Sequence, residues 1–163
     1  MSKLKAKKWT LLYTEISKLG EGGNADVYLV ENSKSGKRYA LKELRSSNRS
    51  EEKKSRFVSE IQIARDNCTI IPGIIPVIDY SMEDYWYTMP IAQQIMGCVN
   101  GMSLDEIIDG VLQLCETLGR LHEKGIHHRD IKPSNIYYYD GRFSFGDFGL
   151  VDFPDNDDFA KSD

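Results

Sequence analysis

The chain has 163 residues, 40% of them hydrophobic and 28% charged, with a formal net charge of −4. That is enough for one ordinary core or two small lobes and fits a soluble globular protein, and no apolar run reaches the roughly 18 residues needed to span a bilayer. Three cysteines, Cys68, Cys98 and Cys115, with no C-x-x-C pair, indicate neither a disulfide framework nor a zinc site, and are expected as reduced thiols in a cytoplasmic protein.

The charge is unevenly divided. Residues 1–58 carry 14 Lys+Arg against 7 Asp+Glu, whereas residues 59–163 carry 7 against 18. A basic first part suits an anionic ligand such as a nucleotide, and suits an ordinary solvated surface equally well. Lys3, Lys5, Lys7 and Lys8 look like the start of a secretory signal, but Glu15 and Lys18 interrupt the apolar stretch that would have to follow. Residues 1–12 therefore read as a solvated basic tail. The tail is short and Trp9 is its only aromatic, which gives nucleic-acid binding little support.

Residues 12–20 and 26–31 read as two strands joined by the glycine-rich turn Gly20-Glu21-Gly22-Gly23-Asn24. After the polar turn Asn32-Ser33-Lys34-Ser35-Gly36, residues 37–44 alternate in polarity as a third strand. A helix is expected over about 50–66, capped by Asn48 or Ser50. Glu51 and Glu52 suit its positive end, and Phe57, Ile61 and Ala64 recur at i, i+4 and i+7 as its buried stripe. Two further strands are expected at Ile74–Ile78 and Tyr85–Met89, with Pro76 pushing the first to a late start or a sheet edge. Ser103-Leu104-Asp105-Glu106 spells a capping box opening a short helix. A longer helix over 108–124 follows, with Val111, Leu114, Cys115, Leu118 and Leu121 on one face and Gly125 as its C-cap. Strands near 136–139 and 142–146 flank a turn at Asp140-Gly141. The whole is an α+β chain.

The chemistry is concentrated late in the chain. His128-Arg129-Asp130-Ile131-Lys132-Pro133-Ser134-Asn135 is followed twelve residues later by Asp147-Phe148-Gly149. One proton acceptor, one cation and two oxygen ligands at this spacing can surround a triphosphate. Phosphoryl transfer needs little more, because its transition state is stabilised by positioning and by neutralising phosphate charge. Upstream, Gly20-Glu21-Gly22-Gly23-Asn24-Ala25-Asp26-Val27 reads G-x-G-x-x-A-x-V, a loop whose missing side chains let backbone N–H groups approach phosphate oxygens. No Lys-Ser/Thr follows, so it is not a Walker-type loop. Lys42 lies in the third strand within Ala40-Leu41-Lys42, and Glu60 sits on the inward stripe of the expected helix, where its carboxylate can pair with Lys42.

Taken together, these strings resemble the eukaryotic-type protein kinases. The resemblance covers roughly residues 13–150. It implies a five-stranded antiparallel N-lobe sheet with one helix over 13–89, a hinge at 90–94, and the first part of a mainly helical C-lobe over 95–163. By the same resemblance, Asp130 orients a substrate hydroxyl, Lys132 neutralises the γ-phosphate and marks a Ser/Thr rather than a tyrosine kinase, and Asn135 and Asp147 hold Mg²⁺. Lys42, fixed by Glu60, holds the α- and β-phosphates of ATP beneath Leu19, Gly20, Gly22 and Gly23. Val27 and Ala40 roof the adenine, Met89 stands as gatekeeper, and Pro90 and Ala92 present hinge backbone groups. Tyr137 takes the floor, where the family usually has a smaller apolar side chain, and Ala25 replaces a frequent third glycine. His128 and Phe148 read as packing residues and His127 as a bystander.

The implied partners are a nucleotide and a protein substrate carrying Ser/Thr. The rest of an activation segment, the Ala-Pro-Glu motif and the large substrate-binding helices do not occur within the 163 residues. The expectation is therefore an incomplete domain, weakly active or inactive alone, that offers the apolar face of helix 108–124 to a partner or a second copy. A non-catalytic, pseudokinase-like nucleotide-binding module is the alternative, while Arg129 and Lys132 disfavour a small-molecule kinase of the aminoglycoside type. Asp152, Asp155, Asp157 and Asp158 read as a solvated acidic loop, with pairing of one of them to Arg129 as the alternative.

Overall fold

The computed structural model describes residues 8–150. The four acidic residues from Asp152 to Asp158, and with them the alternative pairing with Arg129, lie outside the described residues, as do residues 1–7. The chain divides into two compact units. One comprises the residues up to Val58 together with Val77–Ile91, the other Ser59–Pro76 together with the residues from Ala92 onward.

The first unit is built on a five-stranded sheet in the order β1-β2-β3-β5-β4, every neighbouring pair antiparallel. Its strands are β1 (Tyr13–Glu21), β2 (Ala25–Asn32), β3 (Arg38–Leu44), β4 (Asp79–Ser81) and β5 (Trp86–Met89). Residues directly opposite each other in a ladder share a face. Tyr28 faces Leu41, Leu41 faces Thr88, and Val30 faces Tyr39. That face carries the core cluster of Tyr28, Val30, Leu41 and Trp86, closed over by Tyr13 and by Trp9. Trp9 lies in a single 3-10 turn, Lys8–Leu11, and is fully buried, its ring 5.6 Å from that of Tyr28. An isolated aromatic in a lysine-rich stretch shows no periodicity, so its burial could not be read from sequence.

Helix α1 (Glu51–Asn67) starts with Glu51 and Glu52, as its dipole favours, and buries the expected stripe of Phe57, Ile61 and Ala64, with Glu60 beside it at 3% exposure. The stretch expected as a strand at Ile74–Ile78 is not one. The Gly73 carbonyl accepts from the Phe145 N–H at 2.7 Å, and the Ile75 N–H donates to the Phe145 carbonyl at 3.0 Å. Pro76 then has no N–H to continue a ladder, and pairing resumes only at Ile78, whose N–H reaches the Thr88 carbonyl at 2.8 Å.

In the second unit a small sheet of β6 (Gln93–Gln94), β7 (Ile136–Tyr139) and β8 (Arg142–Phe145) is antiparallel throughout. The two helices expected after residue 103 are one, α2 (Leu104–Glu123). Its capping box is complete: the Glu106 N–H donates to Ser103 Oγ at 3.2 Å and the Ser103 N–H to Glu106 Oε2 at 2.7 Å. Gly125, at φ +72°, ends it in a Schellman motif. The Ile126 N–H reaches back to the Leu121 carbonyl and the Gly125 N–H to that of His122. The buried stripe runs through Gly110, Leu114, Thr117 and Leu121, so Val111 and Cys115, expected on the same face as Leu114, are exposed instead. The stripe is rotated because Thr117 buries its hydroxyl on the Pro72 and Gln113 carbonyls at 2.8 and 2.9 Å. Leu104, Ile108, Val111 and Leu112 form a second, exposed apolar stripe. Among the described residues, no helix is long and apolar enough to cross a membrane.

Candidate active site

In the first unit, the strand registers gather the expected nucleotide residues on the sheet face opposite the aromatic cluster. Gly20 stands across from Val27, Val27 from Lys42, and Ala40 from Met89. Leu19 occupies the irregularity in β1 between Lys18 and Gly20. Gly22 and Gly23 make the turn, closed by a hydrogen bond from the Gly22 N–H to the Ala25 carbonyl at 2.9 Å. The Lys42 ammonium lies 6.0 Å from the centre of the Tyr87 ring, which also packs against Phe57 of α1 at 5.7 Å. Pro90 follows β5 directly, and Ala92 begins the second stretch of the second unit.

In the second unit, two of the expected residues converge on the carboxylate of a third. The Lys132 ammonium donates to Asp130 Oδ2 at 2.7 Å, and Asn135 Nδ2 donates to both Asp130 Oδ2 and the Asp130 carbonyl at 2.9 Å. The Lys132 contact, helped by Asn135, holds the Asp130 carboxyl below the ordinary carboxylate range, and Asp130 in turn raises Lys132. Asp130 is thus an ionised acceptor at neutral pH. Asn135 spends its amide nitrogen on Asp130, which leaves the amide oxygen for a cation.

His128 orients this loop from beneath. It is buried, and its ring packs against Phe145 at 5.2 Å and Phe148 at 4.9 Å. Its Nε2 lies 3.2 Å from the Gly146 carbonyl, and its Nδ1 accepts the Asp130 N–H at 3.3 Å. Those two contacts call for the neutral tautomer protonated on Nε2. Burial pushes the imidazole below its usual value, in the same sense. His128 was expected to pack, and it does, but it also ties the Asp130 backbone to the residue before Asp147. His127 is exposed and stacks near His122 at 4.9 Å.

Arg129 and Asp147 both have left-handed backbones, at φ +60° and +59°. Each costs about 1–2 kcal/mol for a side chain with a Cβ, so the surrounding hydrogen bonds must hold them there. Gly149 sits between two carboxylates: a Cβ placed on it would lie 3.4 Å from Asp147 Oδ1 and 3.6 Å from Glu60 Oε2. Glu60 is therefore beside the Asp147-Phe148-Gly149 turn, while Lys42, its expected partner, belongs to the other unit. Tyr137 packs on Gly146, where an added Cβ would come within 2.8 Å of the ring. The bulky Tyr137 is accommodated by the absence of a side chain at 146, a compensation that two residues nine positions apart do not advertise in sequence.

The protein kinase domain family matches residues 13–162. Serine/threonine-protein kinase PknD of Chlamydia muridarum is 32% identical over 152 residues, covering 76% of this chain and 15% of the relative. PknD of Chlamydia caviae is 30% identical over 150 residues, with the same coverage. The mouse serine/threonine-protein kinase Nek1 is 28% identical over 149 residues, covering 85% of this chain and 12% of the relative. The chain thus spans about 15% of the length of the chlamydial relatives it matches.

Proposed function

We propose, because the chain belongs to the protein kinase family, that it carries the nucleotide-binding and catalytic-loop parts of an enzyme that transfers the γ-phosphate of ATP to a serine or threonine hydroxyl of a protein. The observation that carries this reading is the Asp130 carboxylate, held ionised by Lys132 and by Asn135. On the first unit, Val27, Ala40 and Met89 flank the adenine, and Lys42 holds the α- and β-phosphates under the glycine-rich turn. On the second unit, Asp130 accepts a hydrogen bond from the substrate hydroxyl and aligns it, and Lys132 spreads the charge that develops on the γ-phosphate oxygens.

The donor set fits magnesium. The Asn135 amide oxygen and the Asp147 carboxylate are hard oxygen ligands, and two protein ligands are what Mg²⁺ usually takes alongside phosphate oxygens and water. Bound there, the ion supplies neutralisation of phosphate charge. Calorimetry of this chain with Mg-ATP tests the reading. We expect saturable binding that Asp147→Asn weakens at least about tenfold, as loss of a charged metal ligand requires. Binding by the variant equal to that of the unaltered chain contradicts it.

A second reading, a non-catalytic module that docks a partner or a second copy, is favoured by the exposed stripe of Leu104, Ile108, Val111 and Leu112 on α2. Concentration-dependent association abolished by Leu112→Lys, with no heat on addition of Mg-ATP, would select it.

A further inference from the structure

Arg45 immediately follows β3, three residues beyond Lys42, and reaches the glycine-rich hairpin by two routes. Its backbone N–H donates to the Asn24 carbonyl at the turn, 3.0 Å away. Its guanidinium places Nε and Nη2 at 2.8 and 2.7 Å from Asp26 Oδ1, on the outgoing strand. The incoming strand joins the same cluster. Lys18 lies 3.2 Å from Asp26 Oδ1 and pairs with Glu21, whose other oxygen is 3.8 Å from Arg45 Nη2. Two acids and two bases thus link the strand entering the turn, the strand leaving it and the end of β3. Asp26 and Arg45 are only 16% and 29% exposed at their side chains, so their charge-assisted bonds are screened less than those of a surface pair.

We infer that Arg45 is a positioning residue, tethering the glycine-rich hairpin to the strand that carries Lys42 so that the loop is held at one height above the nucleotide face. A hairpin with glycine at positions 20, 22 and 23 has few side chains to restrain it, and its conformational freedom would otherwise have to be lost each time a ligand is covered. The tether removes much of that freedom in advance. The same contact holds the Asp26 carboxyl below its usual range, so the ion pair is complete at neutral pH.

The inference rests on the reading of residues 20–27 as a nucleotide-covering loop, and two measurements on the whole chain separate them. Hydrogen exchange tests the tether without a nucleotide. In Arg45→Gln and in Asp26→Asn, the Gly22 amide is expected to exchange about tenfold faster, while the β2–β3 ladder keeps its rates, as loss of two charge-assisted bonds to one carboxylate oxygen predicts. Calorimetry with Mg-ATP tests the consequence. Both variants are expected to bind about tenfold more weakly, and Arg45→Lys, which retains charge and backbone donor, within about threefold of the unaltered chain. Wild-type exchange at Gly22 in both variants overturns the tether whatever the affinity. Faster exchange with unchanged affinity overturns the positioning role. If the unaltered chain bound no Mg-ATP, the nucleotide reading would fail and the exchange result alone would decide the tether.

Discussion

Asp130, the acceptor of the proposed reaction, shows how a carboxylate is kept ionised by its neighbours. Lys132 supplies the main force holding its carboxyl below the ordinary range, and Asn135 adds a second donor. Removing the ammonium with Lys132→Met should let the carboxyl rise toward its usual value. The acid limb of the kcat/KM profile for phosphate transfer then moves to higher pH, and the rate falls on the order of 100-fold because one charge-stabilising group is lost. A pH-rate series on the active protein checks both, and an unshifted acid limb would show that Lys132 does not govern Asp130. The short spacing of Asp130, Lys132 and Asn135 made this cluster legible in sequence, since three polar groups within six residues of a turn can hardly avoid meeting. The fit of Tyr137 to Gly146 was not legible, because Gly146 lies just past the end of β8, whose ladder sets Ser144 opposite Tyr137.

Among the elements, α2 was the easiest to foresee at its ends and the hardest along its faces. Capping is local: Ser103 and Glu106 satisfy each other's backbone N–H groups wherever the helix goes, and Gly125 ends it for reasons internal to the chain. Ser103→Ala should therefore cost about 1 kcal/mol, seen as a lower midpoint in chemical denaturation with an unchanged slope. A stability equal to that of the unaltered chain would mean the box adds nothing beyond water. Which stripe is buried was decided elsewhere, by Thr117 meeting Pro72 and by the close packing of Gly110 on Phe143. The missing strand at residues 74–78 makes the same point. A run of Ile, Ile, Pro, Val and Ile has strand composition, but Gly73 and Ile75 are taken by Phe145, and Pro76 cannot pair.

For the whole molecule, buried His128 links site geometry to global stability. Its folded value is depressed by burial, so between its ordinary value of 6.5 and that lower value the unfolded chain binds a proton that the folded chain does not. Stability from this group is complete above about pH 6.5 and is lost as pH falls, by no more than about 1.4 kcal/mol per pH unit. Melting temperature should drop between about pH 7 and 5.5, and His128→Gln should flatten that part of the curve. An identical slope in the variant would assign the loss to other groups. The first three strands, helix α1, the capped ends of α2 and the Asp130–Lys132–Asn135 cluster follow from the sequence alone, because each is set by neighbours within a few residues. Tertiary structure decided the burial of Trp9, the rotation of the α2 stripe, the seating of Tyr137 on Gly146 and the tie between Arg45 and the glycine-rich turn. Those depend on residues distant in the chain competing for the same space and the same hydrogen bonds, and no local pattern records the outcome of that competition.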